Sequence, residues 1–436
     1  MKFYSTKDKS LRVSLKEAVL TGMPSDHGLY MPETTPTLSP EFLKRVPDLS
    51  YHDLSFELAR VFVDEEISDK KLKDLVRDAF PFDAPLVPVS DHIYALELFH
   101  GPTLAFKDFG ARFMSRLMAL FTQNFSKELK ILVATSGDTG SAVASGFYNV
   151  PGIHVYVLYP AGKVSKIQEK QMATLGKNIT ALKVYGVFDD CQALVKKALA
   201  DESLRKSYLI SSANSINIAR LIPQIFYYFY AWGQLDEKER QHCVVSVPSG
   251  NFGNLTAGLL AKRMGLPISR FVDAANMNDV VPEYLNTACF NPRPSVQTIS
   301  SAMDVGNPSN FDRILDLYGH SHQAITRDIW GKGYTDEQTK YKIRETMEKT
   351  GYLCDPHGAV GLLGLEEYLA IEKKPATGIF LETAHPAKFK PIVEEVIGKE
   401  IPIPVRLTEC LEKPLLSVPM ENDYKAFVEV LRINNE

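Results

Sequence analysis

The sequence has few cysteines, no strong net charge and no apolar run long enough to cross a bilayer. Its five cysteines lie far apart and form no CxxC pair, which favours a reduced protein over a secreted disulfide framework. A net charge of −4 gives no electrostatic reason to expect nucleic acid or an anionic membrane as a partner. The amino terminus is polar and lacks the apolar core of a signal peptide. We therefore expect a cytoplasmic protein that binds neither nucleic acid nor membrane.

The longest apolar stretch, LIPQIFYYFYAWG, begins at Leu221 and contains Pro223 and Gln224. It is too short to span a bilayer, so it predicts a buried helix. With 436 residues, 45% of them hydrophobic and 23% charged, the chain has the composition of a globular protein with two or three domains.

Three regions differ in their sequence pattern. Residues 1–97 read as short helices between proline-rich turns and predict an accessory region. Residues 98–214 and 215–436 instead alternate strand, turn and helix, which predicts two α/β domains with mostly parallel sheets. Ligands in such folds gather where the strands end, and the polar loops of this sequence follow strands.

One such loop is SGNFGN, residues Ser249 to Asn254, between a β-branched strand and an apolar helix. Its glycines allow backbone N–H groups to approach an anion, and the start of the helix favours negative charge. It matches neither a Walker loop nor GxGxxG. A phosphate site and a glycine-shaped turn remain equally plausible readings of this loop alone.

A second loop, SGDTG at Ser136 to Gly140, follows the strand KILVAT. Small hydroxyl groups and free N–H groups at a helix start suit another anion, such as a substrate carboxylate. Asp138 would repel such a group, so capping of the helix is an equally good explanation for this residue.

Lys107, in GPTLAFKDFG, stands at a predicted helix start, where a cation is unfavourable. A lysine beside two anion-binding loops suits a cofactor with a phosphate and an aldehyde, and pyridoxal phosphate has both. A positive helix end and burial would lower the pKa of this lysine, as a reactive amine requires. The alternative is a solvated surface lysine.

The motifs PTLAFKDFG, ATSGDTG, SANSINIAR, VPSGNFGN and TAHPAKF occur in this order, and together they resemble the threonine synthase family. Within that family the chain resembles the shorter branch, and the resemblance extends over nearly the whole chain. It implies a pyridoxal-phosphate-dependent fold of type II, like tryptophan synthase β, in which two open α/β domains flank a cofactor cleft.

The resemblance also implies roles for individual residues. Lys107 matches the lysine that forms the Schiff base with the cofactor and transfers protons. The cofactor phosphate would be held by Ser249, Gly250, Asn251, Phe252, Gly253 and Asn254, and the pyridine nitrogen would be met by Thr383. The substrate carboxylate would be bound by Ser136, Gly137, Asp138, Thr139 and Gly140. The candidates for the substrate phosphate are Ser215, Asn217 and Arg220, although Asn214 and Ser215 could instead cap a helix with Arg220 on its surface.

As the resemblance implies, the substrate is O-phospho-L-homoserine, which reacts with water to give L-threonine and phosphate in the last step of threonine biosynthesis. An alternative with the same cofactor is a phospho-lyase that releases 2-oxobutyrate from O-phosphohomoserine or O-phosphothreonine. A binding protein that retains the cofactor cleft is a further alternative. The shorter branch of the family implies a monomer. We expect no metal, because Cys354 and His357 lack a second pair of ligands.

Overall fold

The computed structural model describes residues 1–135 and 137–433. The strands in this part of the chain are β1 (Lys2–Ser5), β2 (Arg12–Ser14), β3 (Tyr30–Pro32), β4 (Leu86–Ser90), β5 (Ile93–Glu97), β6 (Leu129–Ala134), β7 (Ile153–Pro160), β8 (Ile179–Tyr185), β9 (Leu209–Ser212), β10 (Cys243–Pro248), β11 (Ile268–Ala275), β12 (Ile329–Gly333), β13 (Thr377–Glu382) and β14 (Val418–Glu421).

The α-helices of the same residues are α1 (Leu15–Thr21), α2 (Pro40–Arg45), α3 (Tyr51–Val63), α4 (Asp69–Ala79), α5 (Lys107–Thr122), α6 (Asp138–Phe147), α7 (Lys166–Ala173), α8 (Phe188–Ala200), α9 (Glu202–Ser207), α10 (Ile218–Gln234), α11 (Gly253–Arg263), α12 (Val280–Thr287), α13 (Phe311–Leu317), α14 (His322–Asp328), α15 (Asp336–Thr350), α16 (Pro356–Ile371), α17 (Lys390–Ile397), α18 (Val405–Leu411) and α19 (Tyr424–Ile433). Short 3₁₀ helices occur at Val46–Asp48, Asp64–Glu66, Glu239–His242, Ser301–Met303 and Pro386–Phe389.

Two parallel-rich sheets organise the molecule. The larger has the strand order β12-β11-β10-β13-β5-β4, and only its β4–β5 pair is antiparallel. The smaller has the order β14-β8-β7-β6-β9 and is parallel throughout. Every residue of β6, β7, β10 and β13 is buried, as expected for parallel strands covered by helices on both faces. The predicted α/β layers with parallel sheets are therefore confirmed.

The amino-terminal region differs from its prediction. Besides the expected helices, it contains an antiparallel sheet in which β1 pairs with both β2 and β3. Two of its helices begin at serine caps: Ser14 Oγ accepts from the Glu17 nitrogen, and Ser39 Oγ accepts from the Phe42 nitrogen. The strands were missed because each has only three or four residues, too few for an alternating pattern to emerge.

Helix α10 is the buried helix that the longest apolar stretch predicts, and it packs against α3, α5 and α11. An aromatic cluster joins α5 and α10: the Phe113 ring lies 6.1 Å from that of Phe80, which follows α4, and 5.8 Å from that of Phe226. An apolar stripe on α5 is buried at Phe109, Phe113 and Leu117. This packing fixes the position of the first residue of α5, which is Lys107.

Among residues 1–135 and 137–433, no helix combines the length and the apolar character that a membrane crossing requires. The division of the chain at 97/98 and 214/215 stays a prediction. Some strands pair with elements distant in sequence: β5 lies beside β13 in the larger sheet, and β14 lies beside β8 in the smaller one.

Candidate active site around Lys107

Lys107 is the first residue of α5, as its sequence context predicts. Its side chain is partly accessible, but protein surrounds the amine closely enough that burial lowers the pKa of Lys107 to about 8. Asp138 raises this pKa, whereas Lys388 and Arg220 lower it further. At pH 7 roughly one tenth of such amines are neutral, about three hundred times more than for a solvated lysine.

The loop before Lys107 is joined to Thr383 by backbone hydrogen bonds. The Phe106 nitrogen donates to the Thr383 carbonyl at 2.9 Å, and the His385 nitrogen donates to the Leu104 carbonyl at 3.1 Å. Leu104 has a φ of 57°, a left-handed conformation that is uncommon outside glycine. Thr383 itself is buried directly after β13. The structure therefore brings Lys107 and Thr383 together.

Asp108 does not pair with Lys107, although the two residues are adjacent. Its carboxylate accepts hydrogen bonds from the Thr103 nitrogen at 2.8 Å and from Thr103 Oγ1 at 2.7 Å. Neighbouring helical positions diverge, so the carboxylate points back to the loop and leaves the amine of Lys107 to other partners.

The loop before α6 is held by hydrogen bonds within itself, and Ser136, one of the predicted residues, lies outside the described residues. Thr135 Oγ1 accepts from the nitrogens of Gly137 at 3.0 Å and Gly140 at 2.8 Å. Gly137 has a φ of 149°, and a Cβ there would lie 2.5 Å from the Gln168 side chain, so glycine is needed. Thr139 is partly exposed beside it.

Asp138 is the first residue of α6, and the N-cap position before it is occupied by Gly137. Its Oδ1 lies 2.7 Å from Lys388 Nζ and accepts from Gln168 Nε2 at 3.0 Å. Burial alone would raise the pKa of Asp138, but the Lys388 and Lys107 ammonium groups hold it well below its usual range. The carboxylate is therefore ionised and paired.

The loop 249–254 connects β10 to α11, and at Gly250 it passes too close to another backbone segment to accommodate a side chain. A Cβ on Gly250 would lie 2.7 Å from the Met303 Cα, closer than atoms tolerate. Phe252 has a φ of 61° and precedes the first turn of α11. Ser249 Oγ donates to the Val247 carbonyl at 2.9 Å, and Gly253 opens the helix.

Asn254, in the first turn of α11, is buried with its carboxamide oriented by two tyrosines. Its Oδ1 accepts from Tyr227 OH at 2.6 Å and from Tyr228 OH at 2.7 Å. Its Nδ2 is buried and has no hydrogen-bond partner within the described part of the chain. An oriented donor without an acceptor at a helix start is what an incoming anion requires.

Ser215 contacts the loop 249–254, and the charge of Arg220 acts on Lys107. Ser215 Oγ accepts from Asn251 Nδ2 at 2.6 Å, which joins this segment to the loop 249–254. Arg220 is buried, and burial lowers the pKa of its guanidinium to about 10. Its Nη1 donates to the Ala213 carbonyl at 2.7 Å, whereas its Nε has no partner in the described residues.

Asn217 is differently placed. It is the N-cap of α10, where its Oδ1 accepts from the Ala219 nitrogen at 3.0 Å. Its Nδ2 donates to the carbonyls of Val19 at 2.9 Å and Ser212 at 3.1 Å. Both amide donors are used within the fold, so in this structure none is left for a ligand.

Four functional candidates were not assigned from the sequence. Lys388 stood unassigned within the quoted motif TAHPAKF, and Gln168 looks like an ordinary capping-box residue of α7. Arg313 is fully buried; its Nη2 donates to the Ile216 carbonyl at 2.7 Å and its Nε to the Tyr30 carbonyl at 3.2 Å. Asn310 Nδ2 donates to the Asn251 carbonyl at 3.0 Å. Long-range pairs of this kind leave no local pattern.

His357 and His385 support the segment around Thr383. His357 Nδ1 contacts the Asp355 carboxylate, and its Nε2 accepts from the Ala302 nitrogen at 3.2 Å. Asp355 Oδ2 in turn accepts from the Ala384 nitrogen at 3.3 Å. His385 Nδ1 accepts from the Ala387 nitrogen at 3.1 Å and so caps the 3₁₀ helix that carries Lys388.

These residues fit pyridoxal phosphate on chemical grounds. Lys107 supplies an amine with a lowered pKa, as attack on an aldehyde requires. The glycine-shaped loop 249–254 and the free Asn254 donor suit a phosphate. Among the described residues, no group of three or more His, Cys, Asp or Glu is arranged to hold a metal ion.

Comparison with known proteins agrees with this assignment. The profile of the family described as pyridoxal-phosphate dependent enzyme matches residues 82–379. Those described as threonine synthase N terminus and threonine synthase, C-terminal match residues 2–80 and 358–430.

Individual relatives extend over nearly the whole chain. Threonine synthase from Haemophilus influenzae is 46% identical over 424 residues, which are 97% of this chain and 98% of that protein. The crystal structure of threonine synthase from Escherichia coli is 43% identical and superposes with a TM-score of 0.93, covering 100% of both chains. A PLP-bound threonine synthase from Brucella melitensis, at 33% identity, gives a TM-score of 0.92 over 99% of both chains. The α/β fold of type II is therefore confirmed, and the chain belongs to the threonine synthase family of pyridoxal-phosphate-dependent enzymes.

Proposed function

We propose that this enzyme converts O-phospho-L-homoserine and water to L-threonine and inorganic phosphate. The proposal is supported mainly by the environment of Lys107: its amine has a pKa of about 8 and is under the electrostatic influence of Asp138, Lys388 and Arg220. A base that is partly neutral near pH 7, with cationic groups beside it, suits proton transfer on a doubly anionic amino acid.

In this proposal, Lys107 binds the cofactor aldehyde, and the loop 249–254 binds its phosphate through backbone N–H groups and the free amide of Asn254. The cofactor supplies an electron sink for negative charge at the substrate Cα. The hydroxyl of Thr383 meets the pyridine nitrogen. A hydroxyl cannot keep a proton on that nitrogen as an aspartate would, and a milder sink of this kind suits elimination chemistry.

The substrate is held at its two anionic ends. Its carboxylate binds the loop of Ser136, Gly137, Asp138, Thr139 and Gly140, where the positive end of α6 attracts it. Its phosphate binds Ser215 and the guanidinium of Arg220, whose buried Nε offers a free donor. Asn217 contributes by capping α10 and so holds Arg220 one turn further along the helix.

Lys107 performs the proton transfers. Its neutral amine takes the proton from Cα, gives that proton up, and then takes a proton from Cβ, after which phosphate departs from Cγ. One proton returns at Cγ and one at Cα, the hydroxide of one water adds at Cβ to give threonine, and the remaining proton of that water leaves with the phosphate. One amine suffices because these transfers follow one another at neighbouring carbons.

The test is a reaction of purified enzyme with added pyridoxal phosphate and O-phospho-L-homoserine, and Lys107→Ala as the control. We expect phosphate and threonine in equal amounts, measured by phosphate release and chromatography, and no product from the variant. Phosphate together with 2-oxobutyrate would replace this proposal with the phospho-lyase activity. Absence of turnover in the presence of bound cofactor would instead indicate a binding protein.

We also infer that the enzyme is a cytoplasmic monomer. Support comes from the family resemblance and from five dispersed cysteines, all free in the structure. Light scattering on the purified enzyme tests the monomeric state, since a mass near 48.8 kDa is expected. Fractionation of cells of the source organism tests the cytoplasmic location.

A further inference from the structure

A buried ion pair connects three segments of the site. Lys388, in the 3₁₀ helix Pro386–Phe389, has a side chain with 0% exposure, and its Nζ lies 2.7 Å from Asp138 Oδ1. The same ammonium donates to the Thr103 carbonyl at 2.9 Å. The pair thus joins the segment after β13 to the start of α6 and to the loop that precedes Lys107.

The carboxylate of Asp138 is fixed from a second direction. Gln168 Nε2 donates to the same Oδ1 at 3.0 Å, and it can approach because residue 137 is a glycine. With an ammonium and an amide both on Oδ1, the orientation of the carboxylate is determined. Its charge is also compensated, which a buried carboxylate needs in order to remain ionised.

The ion pair resolves a conflict in the loop 137–140. A loop that receives a carboxylate should not itself present a free negative charge, yet Asp138 is ionised there. Once Lys388 compensates that charge, the positive end of α6 can attract an anion without repulsion from Asp138.

We propose that Lys388 is a positioning residue of this site: its ammonium neutralises and orients Asp138, so that the adjoining loop can accept the substrate carboxylate. This inference rests on the proposed function, because it places that carboxylate at the loop. It adds a residue that acts through Asp138 and not on the reacting atoms.

The same pair acts on Lys107 through space. Burial is the main cause of the lowered pKa of Lys107; Asp138 raises it, and Lys388 and Arg220 lower it further. Removing Lys388 and removing Asp138 should therefore shift this pKa in opposite directions. A role confined to packing would not produce opposed shifts.

The first test uses cofactor-free protein, in which the amine of Lys107 is free. Acetylation of Lys107 is followed by mass spectrometry as a function of pH in wild type, Lys388→Met, Asp138→Asn and the double variant. We expect the half-maximal pH to move upward by roughly half a unit or more in Lys388→Met and downward in Asp138→Asn. The double variant should return close to wild type, because both charges are gone.

Lys390→Met is the matched control. Lys390 lies two residues further along the chain, pairs with Glu394 on its own helix, and is not among the charges that act on Lys107. Its removal should leave the labelling curve of Lys107 unchanged. If Lys388→Met fails to fold, Asp138→Asn and the double variant still decide the question, since their curves must differ from each other by the effect of Lys388.

The second test is steady-state kinetics with O-phospho-L-homoserine. We expect Lys388→Met to raise KM about tenfold or more, because an uncompensated carboxylate repels the substrate, a change of about 1.4 kcal/mol. The double variant should recover most of this loss. A double variant as impaired as Lys388→Met, or Lys388→Met with unchanged KM and labelling, would overturn the proposal.

The two tests separate this inference from the proposed function. Opposed labelling shifts in an enzyme that releases no phosphate from O-phospho-L-homoserine would refute the proposed substrate and support the action of the pair on Lys107. Threonine formation with superimposable labelling curves and unchanged KM in all variants would support the proposed function and refute the role of Lys388.

Discussion

The amide nitrogen of Phe106 donates to the carbonyl oxygen of Thr383 at 2.9 Å, and this bond ties the loop before Lys107 to the end of β13. A second bond, from the His385 nitrogen to the Leu104 carbonyl at 3.1 Å, flanks it. Lys107, whose amine we propose as the reacting group, and Thr383, whose hydroxyl we propose for the pyridine nitrogen, thus belong to segments joined by backbone hydrogen bonds. Their separation does not depend on the orientation of flexible side chains alone.

The pH dependence of stability should report on Asp108. Burial raises the pKa of this carboxyl from 3.8 to about 6. Because the folded pKa exceeds the unfolded one, the stabilisation from proton binding is present below pH 3.8 and is lost as the pH rises through 6. Wild type should lose this stabilisation as the pH rises, whereas Asp108→Asn should not. The free energy of unfolding of Asp108→Asn minus that of wild type should therefore increase by on the order of 2 to 3 kcal/mol between pH 4 and pH 7.

Urea denaturation of the cofactor-free protein at several pH values measures this difference. Thr103→Val provides an internal comparison: Thr103 Oγ1 donates to the ionised carboxylate and so lowers the pKa of Asp108. Loss of this hydrogen bond should raise the pKa of Asp108, so that the free energy of unfolding continues to fall at higher pH than in wild type. Parallel stability curves for wild type and Asp108→Asn would contradict the assignment.

Tyr228→Phe should weaken cofactor binding without removing any group that contacts the cofactor. Tyr228 OH donates to Asn254 Oδ1 at 2.7 Å and to the Asn254 carbonyl at 3.0 Å, so it helps to orient the free amide nitrogen. Loss of one such bond is worth about 1 kcal/mol, and we expect a rise of about fivefold to tenfold in the apparent Kd for pyridoxal phosphate. Absorbance titration of cofactor-free enzyme measures it.

Tyr230→Phe serves as the control on the same helix. Its hydroxyl donates to the carboxylate of Asp83 near the surface at 3.2 Å. We expect the Kd of Tyr230→Phe for pyridoxal phosphate to match that of wild type. An equal rise in Kd in the two variants would show that Tyr228 does not act on cofactor binding through Asn254.

Gly250→Ala should damage the loop 249–254 for a steric reason. The added methyl would lie 2.7 Å from the Met303 Cα and 3.1 Å from the Ala302 carbonyl oxygen, both backbone atoms. We expect a loss of about 1 to 3 kcal/mol in free energy of unfolding, together with weaker cofactor binding. Chemical denaturation and reconstitution with pyridoxal phosphate give the two values.

Gly253→Ala is the stability control within the same loop. Its added methyl would lie 3.5 Å from Asn310 Nδ2, an ordinary contact, at a position in the first turn of α11. The free energy of unfolding should stay the same or rise by up to about 1 kcal/mol. Equal destabilisation by both substitutions would argue against the close backbone approach.

Arg313→Met should be among the most destabilising substitutions in the chain. The buried guanidinium donates to the carbonyls of Tyr30, Ser215 and Ile216 and contacts the Asn310 side chain. Its removal leaves these acceptors unsatisfied, and we expect a loss of about 3 kcal/mol or more in free energy of unfolding.

Arg293→Met is the matched surface control. Arg293 pairs with Asp279 and Glu283, but its side chain is 39% exposed. Such pairs contribute at most about 1 kcal/mol, so denaturation midpoints should separate the two variants clearly. A small loss in free energy of unfolding in both variants would contradict the predicted contribution of the Arg313 hydrogen bonds.

Local sequence patterns predicted the elements that carry the site. Lys107 at the start of α5 and the loop 249–254 between β10 and α11 lie where hydrophobic runs and glycines indicated. Such features follow from interactions between residues close in sequence, which a pattern records. The strands β1 to β3 were missed because their pairing, and not their composition, makes them strands.

Contacts between distant segments were not predictable. Nothing near Lys388 indicates that its ammonium meets Asp138, and nothing near Asn217 indicates that its amide faces the Val19 carbonyl. Asp138 was therefore left between two explanations, capping and ligand binding, and the structure gives it a third arrangement as the partner of a buried lysine. Charge compensation of this kind is a property of the assembled fold.

The last strand of the chain has a consequence for synthesis on the ribosome. β14 is an edge strand of the smaller sheet beside β8, and Lys130 Nζ in β6 donates to the Leu431 carbonyl in α19 at 2.9 Å. The smaller sheet therefore lacks this edge strand, and Lys130 lacks this partner, until residues 418–431 have been synthesised. Nascent chains arrested before residue 418 should leave the edge of β8 unpaired and open to other chains, whereas chains that extend past residue 433 can close it.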